Sequence, residues 1–145
     1  MQKTAQRISR YLPLVLWMTF ISVASTSEFS SENTSRIIGP LVLWLFPGTS
    51  EHSLQIIHFI VRKLAHLSEY AIMGFLAARA FSTSSYRPLK RHWFWVALTL
   101  VILYALADEY HQSFVPSRTA SLYDSMVDAV GGLAALLIQA RRRKP

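Results

Sequence analysis

The chain has 145 residues, enough for one domain, and 52% of them are hydrophobic while only 16% are charged, well under the roughly 25% charge of ordinary soluble domains. Its net charge of +7 would suit a nucleic-acid partner, but the basic residues sit at the ends of apolar runs, in QKTAQRISR, SYRPLKRH and RRRKP, and form no stripe on a polar helix. Without cysteine there is no disulfide framework, thiol nucleophile or thiolate metal site. The remaining class is an all-α polytopic membrane protein, residues 1–145 forming one domain whose first partner is the lipid bilayer.

The first apolar run, YLPLVLWMTFISVAS, covers about 11–25 and follows Lys3, Arg7 and Arg10. A basic start, a short apolar stretch and the small residues Ala24 and Ser25 also fit a cleaved signal peptide. The spans that follow favour a retained anchor. Pro13 falls near the expected helix start, where proline is tolerated. Next comes RIIGPLVLWLFPG, about 36–48. It is too short to cross and is interrupted by Gly39-Pro40, which predicts a re-entrant or interfacial segment. A helix is expected to start near Ser50, with Glu51 in its first turn, and to run into the second span.

The second, third and fourth spans cover about 63–81, 93–110 and 122–140. Each approaches the roughly 20 residues that cross about 30 Å of hydrocarbon as helix. Four crossings with both termini in the cytoplasm place most Lys and Arg inside, leaving Arg36, Arg62, Lys63 and Arg118 outside, as the positive-inside rule requires. A fifth crossing at 36–48 would put the loop at 87–91 and the basic tail outside. The expected location is a membrane that the chain crosses several times.

This orientation puts every Asp and Glu in the outer half. Counting 1.5 Å per residue from the span ends sets Asp108, Asp128 and Glu69 about 8, 9 and 7 Å beneath the outer edge of a roughly 30 Å core. His66, Glu69 and Tyr70 share one helix stripe; Asp108 pairs with His111 or Gln112, and Asp124 with Asp128, by the same spacing. A charge facing lipid at depth costs about 2.5–3.5 kcal/mol even on the lenient insertion scale, so these stripes should face one another. Arg118, in the short loop SFVPSRTAS, is the expected counter-ion, and Lys63 can snorkel to join it. Glu109, Tyr110 and His111 are expected nearer the interface, in contact with water.

The stretches KLAHLSEYAIMGF and ADEYHQSFVPSRTASLYDSMVDAVGG resemble the VanZ-like family of small bacterial membrane proteins. The matching positions are Lys63, His66, Glu69, Tyr70, Gly74, Asp108, Glu109, Gln112, Phe114, Arg118, Asp124 and Gly131. Asp128 departs from the pattern, standing where many members have asparagine, and adds an acid to the pocket. The resemblance implies a cell-envelope role and, through the family's namesake, low-level resistance to the lipoglycopeptide teicoplanin.

Two functional readings follow. In the first, an extracytoplasmic-facing pocket binds an anionic or glycosylated envelope ligand: an envelope lipid, a peptidoglycan precursor or a lipoglycopeptide. Its binding residues would be Lys63, Tyr70, Glu109, Gln112, Arg118 and Asp128. In the second, the protein is an intramembrane hydrolase or transferase acting on a lipid-linked envelope substrate, with His66, Glu69, Asp108 and Asp124 as catalytic residues. His66, Glu69, Asp108, His111 and Asp124 also offer nitrogen and oxygen ligands suited to a divalent metal such as Zn²⁺ or Mn²⁺, at a spacing that matches no established signature. The alternative to any site is a buried ion-pair network that fixes helix register. The Trp residues are expected at the membrane interface or facing lipid.

Overall fold

The computed structural model describes residues 2–26, 31–115 and 121–143. All regular structure among them is helical, in the order α1 (Gln2–Ala24), α2 (Ser31–Leu45), α3 (Glu51–Ser82), α4 (Arg87–Arg91), α5 (Trp93–Gln112) and α6 (Leu122–Arg142). Local chemistry sets several of the ends. The Ser50 side chain accepts from the Ser53 amide at 3.2 Å and Glu51 stands in the first turn of α3, satisfying an orphan donor and the helix dipole. Ser121 caps α6 in the same way through the Tyr123 amide. Asp124 in the first turn of α6 and Arg141 and Arg142 in its last complement its dipole. As expected, α3 runs unbroken from Ser50, and its 32 residues make a rod about 48 Å long.

The packing is organised by α6. Its most extensive contact is with α3, and α5 packs against both; α1 and α2 lie on α3. The interior is built from small residues: Ala77, Ala78, Ala80, Ala97 and Ala105 are essentially inaccessible, as are Met73, Val101 and Leu136. Glycine takes the tightest points. A Cβ on Gly74 would lie 2.6 Å from the Gly132 carbonyl oxygen, and one on Gly131 would collide with the Leu67 backbone. Helices with no hydrophobic force between them associate by such close backbone approach.

The outside carries the large apolar side chains. Leu16, Trp95 and Leu103 are 59%, 66% and 60% exposed, the reverse of a soluble bundle, whose large aliphatics point inward. Hydrogen bonds tether α1 to this core. Trp17 Nε1 donates to the Glu69 carbonyl at 2.8 Å, Tyr104 Oη donates to the Met18 carbonyl, and Tyr11 Oη donates to Ser84 Oγ at 2.9 Å. Each contributes on the order of 1 kcal/mol. Trp17 is therefore a packing residue and does not face lipid, while Trp44 and Trp95 are largely exposed.

The structure corrects three expectations. Among the described residues two helices, α5 and α6, are long and apolar enough to cross a membrane, not four. The reason is composition: α1 opens with Lys3, Arg7 and Arg10, and α3 carries Arg62, Lys63, His66 and Glu69 in its middle, so their average hydropathy falls although their lengths suffice. The segment at 36–48 is not broken at Gly39-Pro40, since α2 runs through both. Pro40 costs it one backbone hydrogen bond, and at 15 residues it reaches only about 22 Å, short of the hydrocarbon thickness. Pro13 lies well inside α1, because that helix begins at Gln2.

Candidate functional site

At one end of the α3–α5–α6 contact the alanine and glycine interior gives way to polar side chains that are just as deeply buried. Tyr70 is fully inaccessible, Gln112 and Asp128 are each 1% exposed, and Ser125, Glu109 and Asp108 are 4–6% exposed. The stripes are continuous with the apolar ones. Gln112 and Asp108 lie one turn apart above Ala105 on α5, Tyr70 and His66 one turn apart above Gly74 and Met73 on α3, and Asp128 one turn above Gly131 and Gly132 on α6. The residues that let the helices touch therefore also fix how close the polar groups come.

The deeper layer joins His66, Asp108 and Asp128, one from each helix, with one ligand atom apiece, all within 4.8 Å of one another. His66 Nδ1 stands 3.5 Å from Asp128 Oδ1, close enough for an ion pair but not aligned as a hydrogen bond. Gln112 Nε2 donates to Asp108 Oδ2 at 3.0 Å. Among the described residues neither oxygen of Asp128, nor His66 Nδ1, nor the Tyr70 hydroxyl has a hydrogen-bond partner. Such atoms in a buried setting cost about 1–3 kcal/mol each. Two ionised carboxylates near that 4.8 Å limit repel by about 3 kcal/mol at an effective dielectric of about 20.

The layer nearer the helix ends is closed by pairs. Lys63 Nζ makes an ion pair with Asp124 Oδ1, and the Lys63 ammonium also lies 5.3 Å from the Phe59 ring centroid. Glu109 accepts from the Ser121 amide, so its carboxylate holds the start of α6. Ser125 Oγ donates to the Ala105 carbonyl.

The candidate residues thus divide. His66, Asp108, Asp128, Tyr70 and Gln112 line the deeper layer, with Lys63 and Asp124 paired in the other. Asp124 and Asp128, expected on one stripe, serve different layers. Glu69 is half-buried on α3 and does not belong to the three-residue group. Glu109 is buried, contrary to the expected contact with water, because it is drawn inward to the α6 terminus. Of the two partners offered for Asp108 the structure selects Gln112, and His111 is exposed. The metal-ligand set read from spacing is corrected accordingly: Asp128 takes the place of Glu69, His111 and Asp124. Arg118 lies outside the described residues.

Sequence reasoning missed Ser25, which is 3% exposed and accepts from Gln112 Nε2 at 3.5 Å. The two are separated by 87 positions, and no local pattern links them. It also missed Ser121 as the partner of Glu109; a Ser before an apolar run is a cap signal, but it does not reveal a carboxylate from another helix.

An all-α protein with a polar site buried among three helices, two of them long and apolar enough to cross a membrane among the described residues, is the class that this fold and site define. The VanZ/LLP1 family model matches residues 9–141, nearly the whole chain, and the protein belongs to that family as a VanZ-type envelope protein. No curated protein and no solved structure matches it.

Proposed function

We propose that this is a multi-pass protein of the bacterial cytoplasmic membrane that binds the polar part of an envelope molecule just beneath the outer headgroups. On this reading α1, α3, α5 and α6 all cross, α2 lies in the interface, and both termini are cytoplasmic. The low hydropathy of α1 and α3 is no obstacle, because their charged residues lie at the helix ends or are half-buried, where a span tolerates them. The ligand is the glycosylated or anionic portion of an envelope lipid, a peptidoglycan precursor or a lipoglycopeptide, and its capture gives low-level teicoplanin resistance.

The observation that carries this reading is the set of buried polar atoms without hydrogen-bond partners among the described residues, on Asp128, His66 and Tyr70. Hydroxyls of a sugar would satisfy them, while the Lys63–Asp124 pair opens to meet a charged group. The test compares cells holding equal membrane levels of the protein and of its Asp108→Asn and Tyr70→Phe variants, together with teicoplanin binding to the purified protein in nanodiscs. Reduced susceptibility and saturable binding, both weakened in the variants, are expected. Unchanged susceptibility together with no binding refutes the reading.

A second reading, the intramembrane hydrolase or transferase, is favoured by the imidazole–carboxylate approach of His66 and Asp128 at 3.5 Å. A carboxylate at Nδ1 fixes the ring and leaves Nε2 as the proton acceptor. On this reading Asp128, rather than Glu69, is the carboxylate beside the His66 ring. Lipid mass spectrometry of cells with and without the protein separates the two. A changed lipid or precursor species, abolished by His66→Ala, supports the enzyme, and identical profiles remove it.

A further inference from the structure

We propose that His66, Asp108 and Asp128 form a divalent-metal site, taking a borderline ion such as Zn²⁺ or Mn²⁺ between α3, α5 and α6. Three helices each deliver one ligand atom to a region no wider than 4.8 Å. Ligand atoms about 2.1 Å from one tetrahedral zinc lie about 3.4 Å apart, and His66 Nδ1 and Asp128 Oδ1 already stand 3.5 Å apart. One imidazole with two carboxylates is a nitrogen–oxygen set that suits zinc, manganese or iron rather than copper(I) or calcium.

A second and independent observation is the state of Asp128. It is 1% exposed, and neither carboxylate oxygen has a hydrogen-bond partner among the described residues. Its ion-pair partner among the described residues is the His66 imidazole at 3.5 Å, itself one of the three ligands, whereas purely structural buried carboxylates are hydrogen-bonded as well. Charge points the same way. Lys63 is committed to Asp124, and the Gln112 amide that reaches Asp108 is neutral. Among the described residues a protonated His66 would neutralise one of the two acids, whereas a divalent ion neutralises both. Gln112 then has the outer-shell role that fixes a ligating carboxylate.

The site is argued from geometry and stands apart from the choice between binder and enzyme, so a failed resistance assay leaves it in place. The protein, purified in detergent with a tag free of histidine and treated with chelator, is titrated with Zn²⁺, Mn²⁺ and Mg²⁺ by calorimetry and checked by elemental analysis. The expected result is about one equivalent of Zn²⁺ or Mn²⁺ per chain, with affinity at least ~10-fold weaker in Asp128→Asn and His66→Ala, and unchanged when exposed His52 or His111 is replaced by Ala. Asp128→Asn preserves shape, and Co²⁺ added to the unmodified protein supplies a visible spectrum that needs no variant. No stoichiometric binding, no Co²⁺ absorption, or affinity indifferent to Asp128→Asn (an adventitious ion only) overturns the proposal.

Discussion

Replacing Gly74 by alanine places a methyl group where α3 and α6 touch backbone to backbone. The new Cβ would lie 2.6 Å from the Gly132 carbonyl oxygen and 3.0 Å from Gly132 Cα, against an ordinary contact of 3.4 Å or more, so the helices must part by about 0.8 Å. The obstacles are main-chain atoms with no rotamer to change, which puts the cost near the upper end of the roughly 1–3 kcal/mol for overpacking. Alanine returns about 1 kcal/mol of helix propensity, leaving a net loss of about 2 kcal/mol, or roughly 30-fold in the unfolding equilibrium. Gly39→Ala is the matched control, because its Cβ would meet only His58 Nε2 at 3.9 Å and it gains propensity without a clash. Reversible unfolding in mixed detergent and SDS micelles, followed by circular dichroism, reads both. Equal stability of Gly74→Ala and the parent, or shifts of the same sign in the two variants, would refute the packing argument.

Other expectations follow from single contacts. Tyr70→Phe removes a buried hydroxyl that has no partner, so stability should stay level or rise by up to about 1 kcal/mol while ligand binding weakens; a clear loss of stability contradicts this. Lys63→Ala strands Asp124 in a partly exposed pair and should cost on the order of 1 kcal/mol. The exchange Lys63→Asp with Asp124→Lys should recover most of that loss in the same unfolding assay, and failure to do so rejects the pairing. Trp17→Phe deletes the indole hydrogen bond to the Glu69 carbonyl and should destabilise by about 1 kcal/mol, whereas a cleaved α1 would make the substitution silent. Intact-mass measurement of the protein from membranes checks that α1 is present.

Spacing along the helices brought Asp108 and Asp128 together, but not Glu69, which the same count had set at their level. Rise per residue put Asp108 and Asp128 at one level, and they do meet, because two antiparallel helices joined by a short loop keep their register. Spacing could not decide which of Gln112 and His111 faces Asp108, since both lie within reach of a helical turn; packing against α1, through Ser25, decided it. The split between Asp124 and Asp128 was hidden for a similar reason. They share a stripe on α6, but Lys63 and His66 on α3 are separated by nearly a turn and engage them separately. Hydropathy overstated the resemblance of α1 and α3 to simple spans and understated α2, where Gly39-Pro40 reads as a break that the helix in fact absorbs. The inward turn of Glu109 depends on the Ser121 amide at the start of α6, a contact between two helices that spacing along either one does not reveal.

The convergence of α3 and α6 on one buried cluster is tested most directly by introducing His66→Cys together with Asp128→Cys in a chain that has no cysteine of its own. In native membranes Hg²⁺ or a short bifunctional thiol reagent should bridge the pair within one chain, leaving no thiol for later maleimide labelling by mass. His111→Cys with Asp128→Cys should not bridge, because His111 faces outward. If the first pair stays fully labelled, or both pairs behave alike, then His66 and Asp128 do not share a site and the account fails.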